Sequence, residues 1–136
     1  MNKYDQIYGY LAECASRPFQ WGVHDCCLFV CDWVNLRLGR DLAREFRGGY
    51  TTAIGARRLI DQRGGLETII ADAIANTPIE LINPRMAERG DAALCEDSPH
   101  GPALGLCIGR QSAFLGIESG FLFLEMTTIS KTWRIP

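Results

Sequence analysis

The sequence is poor in histidine. Only His24 and His100 occur among its 136 residues, so any base of the imidazole kind has to be one of these two. It also lacks a basic run. Arg57-Arg58 is the only adjacent basic pair and the formal net charge is −2, which argues against nucleic-acid binding through bulk electrostatics. No uninterrupted apolar stretch approaches the ~20 residues of a membrane span, so no membrane partner is expected. No apolar signal core follows Met1-Asn2-Lys3-Tyr4-Asp5, and a start in the cytoplasm is expected. The six cysteines, Cys14, Cys26, Cys27, Cys31, Cys95 and Cys107, are not spaced as a secreted disulfide framework. The glycine pairs at 48–49 and 64–65 lack a following Gly-Lys-Ser or Gly-Lys-Thr, so they are turns and not phosphate loops. Repeats, low-complexity tracts and linkers are absent, so residues 1–136 read as one domain.

What is present centres on one stretch, Phe19-Gln20-Trp21-Gly22-Val23-His24-Asp25-Cys26-Cys27-Leu28-Phe29-Val30. It reads as a tight Trp-Gly turn, then a helix start, then a buried helix running from about Asp25 to Leu38. Asp25 is an N-cap, whose carboxylate accepts from free N–H groups of the first turn. Cys26 then falls at the first helical position, where the positive end of the helix dipole favours thiolate. Cys27, Val30, Cys31, Val34 and Leu38 recur at helical spacing and predict one apolar face. Gly39 is a natural stop. A thiol at the mouth of a buried helix is how a cysteine nucleophile is commonly presented. The plainer reading of such a cysteine is a small core residue. Asp25 has a second reading too, as an acid that would raise the thiol's pKa.

Before this helix, Tyr4, Ile7, Tyr8, Leu11 and Ala15 form the apolar stripe of a helix over residues 3 to 15, ended by Arg17-Pro18. Leu42 to Phe46 reads as one further helical turn. Thr51 or Thr52 caps a third helix with Ala56, Leu59 and Ile60 inward, and a fourth carries Leu66, Ile69, Ile70, Ala73 and Ile74. After Asn76-Thr77-Pro78 the period becomes strand-like. Short strands are predicted at 79–82, 91–95, 103–108, 112–115, 121–125 and 132–135, with a hairpin loop over 116–120. Helices first and strands second imply an α+β domain.

Trp21-Gly22 followed by Asp25-Cys26-Cys27-Leu28-Phe29-Val30 resembles the nucleophile motif of the NlpC/P60 papain-like peptidases. Those carry Asp-Cys-Ser-Gly on a central helix, so Cys27 and Leu28 stand where the family has Ser and Gly. With Arg89-Gly90-Asp91, Ala103-Leu104-Gly105 and Trp133-Arg134, the chain is more closely similar to small NlpC/P60-like proteins encoded among phage and prophage tail genes. The resemblance implies helices packed on one side of a small, curled antiparallel sheet, and a protein made in the cytoplasm and incorporated in the virion tail. It implies phage tail and baseplate proteins as partners, and peptidoglycan peptides as the substrate of an active form.

A cysteine hydrolase needs a thiolate, a base, a group that orients the base, and donors for the oxyanion. Cys26 supplies the first. In the NlpC/P60 pattern the base opens a strand of the form His-Val-Gly-Ile, and the matching position here is Ala103, which cannot accept a proton. By that register the domain is a degenerate peptidase, and the resemblance to tail-gene proteins then implies a structural tail component. Two histidines could restore the alternative, an active Cys-dependent peptidase or amidase. His100 lies three residues before Ala103, either folded back as a displaced base or solvated in its Pro- and Gly-bracketed loop. His24 lies two residues before Cys26, either tuning the thiol or fixing the turn by a local hydrogen bond. Metal binding is the remaining class. Cys27 and Cys31 share a helix face, but Cys26 points elsewhere and the neighbours are apolar, so no metal or other cofactor is expected. Trp21, Trp33 and Trp133 read as core or interface anchors.

Overall fold

A computed structural model of the chain describes residues 2–99, 101–118 and 120–136. Four helices come first: α1 (Lys3–Ala15), α2 (Cys26–Leu38), α3 (Ala53–Gln62) and α4 (Leu66–Ile74). Six strands follow: β1 (Glu80–Ile82), β2 (Ala92–Ser98), β3 (Gly101–Cys107), β4 (Gln111–Leu115), β5 (Phe121–Glu125) and β6 (Lys131–Arg134). The strands form one antiparallel sheet in the order β1-β6-β2-β3-β4-β5. The last strand therefore inserts between the first and second. The fold is α+β, as the order of helical and strand periodicities implies. Among the described residues no helix is long and apolar enough to cross a membrane.

Three of the four helices begin at a side-chain cap, and α4 begins after Gly65 without one. The Asn2 and Thr52 side chains accept from Tyr4 N and Gly55 N, leaving fewer first-turn N–H groups unpaired. Asp25 does the same for Leu28 N, and Gly39 closes α2 in the left-handed region at φ 69°. The segment over Leu42 to Phe46 forms turns and not a helical turn.

Burial corrects two expected faces. Ile7, Tyr10 and Cys14 are the buried residues of α1, while Tyr4 and Tyr8 are exposed. The stripe is rotated because Tyr10 stacks on Phe29 at 5.6 Å between ring centroids, packs on Trp33, and donates its hydroxyl to the Phe29 carbonyl. In α2 the buried set is Leu28, Phe29, Val30, Trp33 and Val34. This helix packs against both α1 and the sheet at β3 and β4, so its apolar arc is wider than the single stripe its spacing predicts.

The sheet's two faces serve different cores. Leu94, Leu104, Leu106, Leu115 and Trp133 join the helices in the main core. Ala93, Cys95, Phe114 and Ile129 form a second, smaller one. Alternation along β2 and β3 produces this split, since successive residues face opposite ways. Trp33 and Trp133 are buried core residues, and Trp21 is half-buried, edge-on to Phe19.

The carboxylate of Asp91 is fully buried and ties the helical part to the sheet. Lys3 Nζ and Ile135 N donate to its Oδ1, each at 3.1 Å. Glu88 N donates to Oδ2 at 2.8 Å and Arg134 Nε at 3.0 Å. Beside it, Gly90 has φ 93°, its carbonyl accepts from Trp33 Nε1 at 2.8 Å, and an added Cβ would meet Trp33 at 3.1 Å. The Gly90-Asp91 pair is thus a structural joint.

A candidate cysteine site at the start of α2

The turn before α2 is built around Gly22. Gln20 and His24 exchange backbone hydrogen bonds, His24 N to Gln20 O at 2.8 Å and Gln20 N to His24 O at 2.9 Å. Gly22 has φ 79°, and a Cβ there would lie 2.1 Å from the Tyr50 carbonyl oxygen. Only glycine fits such a position. The Gly22 carbonyl in turn accepts from Gly48 N at 2.9 Å.

Asp25 is buried and its carboxylate is engaged three times. Oδ1 accepts from Leu28 N at 3.0 Å, and Oδ2 accepts from Gly22 N at 2.9 Å and from the Tyr50 hydroxyl at 2.6 Å. Burial, then the bond to Asp25, pushes the Tyr50 phenol well above its ordinary range, so it remains a donor. Asp25 thus caps α2 as expected, and it also joins the Trp-Gly turn to the segment around Tyr50. Nothing local to Gly48-Gly49-Tyr50 marks that tyrosine in the sequence. Its role arises from a contact 25 residues away.

Cys26 is the first residue of α2 and is half-buried. Its thiol is more acidic than an ordinary cysteine's. Hydrogen bonding from the Cys27 thiol is the main cause, opposed by burial and by the negative charge of Asp25, and aided by the backbone N–H of Leu104 on β3. Cys27 shifts the other way, raised by the proton it holds toward Cys26 and by burial. Burial pushes Cys31 up to about 12. One of the three neighbouring thiols is therefore activated and two are held protonated. Both of Asp25's predicted effects coexist: it caps the helix and it works against the thiolate.

His24 does not join this site. It is buried with Nε2 3.3 Å from the Cys14 carbonyl oxygen, and its Nδ1 is buried without a partner. Burial, then the charge of Arg17, lowers its pKa, which keeps the ring neutral. Of its two predicted roles the local one, fixing the turn against α1, is the one its contacts fit. His100 lies outside the described residues, as does Ser119 in the predicted 116–120 loop. Ala103 pairs with Cys95 and packs with the second core, whereas Leu104 pairs with Leu94 in the main core. Among the described residues, no three His, Cys, Asp or Glu side chains are arranged to hold a metal ion.

Cys26 also lines a cavity of about 870 Å³. Its floor is α2 with β3 and its roof the α3–α4 hairpin, and its lining includes Phe19, Leu42, Ile60, Ile70 and Leu104. The sequence predicts inward apolar faces for α3 and α4 but not the space left between those faces and the core.

A family model for a domain of unknown function, DUF6950, matches residues 3–135. The chain belongs to the DUF6950 family. No curated protein matches it. The match spans all ten elements, so the Trp-Gly turn, the cysteine pair and the Asp91 joint all lie within the DUF6950 domain.

Proposed function

We propose that this DUF6950 chain is a papain-like shell of the NlpC/P60 kind. In this reading it retains a presented thiol without a hydrolytic base and serves as a structural component of a phage tail, near the tip or baseplate. The observation that carries the reading is the surroundings of Cys26. Its thiolate is favoured by a second thiol and a backbone N–H, and no imidazole reaches it among the described residues. A general base must stand within hydrogen-bond reach of the proton it takes, directly or through one water. The α+β layout, with the thiol-bearing helix packed against an antiparallel sheet, supports the papain-like assignment. The tail assignment rests on the sequence resemblance. In the test, purified protein is incubated with peptidoglycan peptides, and its co-fractionation with assembled tails is measured. Incorporation without peptide release is the expected result.

The acidity of Cys26 favours a second reading, a Cys-dependent peptidase or amidase with His100 as a displaced base. Peptide release that is lost in both Cys26→Ala and His100→Ala would establish that reading and overturn the first.

A further inference from the structure

The α3–α4 hairpin is only partly seated on the rest of the molecule: Leu66 joins the main core, and Ile60, Ile70 and Ile74 pack against it while staying half-buried. No residue of α3 is buried, and of α4 only Leu66 is. Yet its inward positions, Ala56, Ile60, Ile70 and Ile74, are apolar and face the cavity. Protein interiors pack to near-crystalline density, with few voids larger than a water molecule. A space of about 870 Å³ instead falls within the size range of small-molecule sites, about 300–1,000 Å³. The polar groups of its inner wall do not invite a polar ligand. They are the thiols of Cys26, Cys27 and Cys31, Asp25, whose carboxylate already takes three donors, and the hydroxyls of Tyr50 and Ser98, which already donate to Asp25 and to the Gly101 carbonyl.

Charged side chains also line the cavity: Arg57, Asp61 and Glu118. Arg57 is the one cation among them. Its guanidinium lies over the backbone of Gly101 at the start of β3, where an added Cβ would meet Nη2 at 2.9 Å. Among the described residues it makes no hydrogen bond or ion pair, with Asp61 and Glu118 included. Gly101 is three residues from Leu104 along the strand, about 10 Å at the usual rise. Cys26, whose thiol accepts from the Leu104 N–H, lines the same cavity as Arg57.

We propose that this cavity binds one long-chain carboxylate, its alkyl chain between α2 and the α3–α4 hairpin and its carboxylate on Arg57. The inference goes beyond a tail role and holds whether or not Cys26 is catalytic. The full-length protein would be titrated with sodium palmitate, methyl palmitate and hexadecyltrimethylammonium, each below its micelle concentration. Binding is read by tryptophan fluorescence, since Trp21 lines the cavity, and stoichiometry by native mass spectrometry. The expected result is one palmitate per chain, bound more tightly than the ester or the cation, with slower alkylation of Cys26 in the complex. Arg57→Gln should weaken palmitate about ten-fold, the scale of one charge-assisted hydrogen bond, and leave the ester unchanged. Ala56→Trp should obstruct the cavity beside Arg57 and sharply weaken binding, and it replaces a half-buried residue of a helix with no fully buried one, so the fold should be preserved. A cooperative melt of each variant verifies this. The proposal is overturned if folded wild-type protein binds no palmitate, or if palmitate and its methyl ester bind equally. Tighter binding of the cation, or several palmitates per chain unaffected by Ala56→Trp, would overturn it as well.

Discussion

Replacing Asp91 by alanine should cost about 3–4 kcal/mol of folding stability, within the range for stranding one half of a buried ion pair. The carboxylate is 0% exposed and holds four donors. Of its two cations, Lys3 is only 10% exposed and would keep the Ile135 carbonyl at 2.8 Å and the half-exposed Glu88 carboxylate at 3.9 Å. Arg134, at 32% exposure, can recover water and retains the Met86 carbonyl. Lys3 and the orphaned N–H groups of Glu88 and Ile135 therefore carry most of the loss. Set against a typical total of about 5–15 kcal/mol, the loss takes roughly a fifth to four-fifths of the folding stability. The assay is urea denaturation followed by tryptophan fluorescence and far-UV circular dichroism. The companion variant is Lys3→Met. With the ammonium gone, Asp91→Ala should cost less, so the double mutant should lose less than the sum of the singles. A loss below about 1 kcal/mol, the scale of a surface pair, or strict additivity with Lys3→Met, would refute the reasoning.

Other outcomes follow from the site. Cys27→Ala removes the thiol that does most to favour the Cys26 thiolate, so the pH profile of Cys26 alkylation should move to higher pH; an unmoved profile would contradict the pairing. In the wild type, Cys26 should alkylate first, Cys31 only slowly and at high pH, and the buried Cys14, Cys95 and Cys107 only on unfolding, as mass-resolved labelling would show. Because burial lowers the pKa of His24, the unfolded chain takes up its proton first, near the ordinary value of about 6.5. That stabilising contribution is present above this value and is lost as pH falls toward the folded-state pKa. His24→Gln should flatten the corresponding part of a stability–pH curve measured by chemical denaturation. Gly22→Ala should lower the melting temperature, its Cβ facing the Tyr50 oxygen at 2.1 Å; an unchanged melt would mean that the turn yields freely.

Local chemistry was legible in the sequence, and distance was not. The Asp25 cap, the Gly39 stop, the Thr52 cap and the ends of α1 match their sequence signals, because each depends on groups within a few residues. The buried face of α1 was misplaced and that of α2 drawn too narrow, for a shared reason. Tyr10 was needed against Phe29 and Trp33, and a partner from another helix decides which of two neighbouring stripes turns inward. The third donor on Asp25 comes from Tyr50, and the acidity of Cys26 is set partly by a strand N–H at Leu104. Neither follows from spacing along one helix. The cavity depends on how far the α3–α4 hairpin stands from α2, a separation that no periodicity encodes.

The insertion of β6 between β1 and β2 has a consequence for the order of events during synthesis. β1 pairs with β6 alone, and β2 has β3 on one side and β6 on the other. Until residues 131–134 have left the ribosome, β1 has no partner and β2 presents an open edge, the kind of edge that recruits foreign strands. The helices and the β2–β3–β4–β5 meander can form earlier from near neighbours in the chain, but the sheet closes only with its final strand. A released chain truncated before Lys131 should therefore be readily cleaved by protease around Glu80–Ile82, and restoring residues 131–136 should remove that sensitivity.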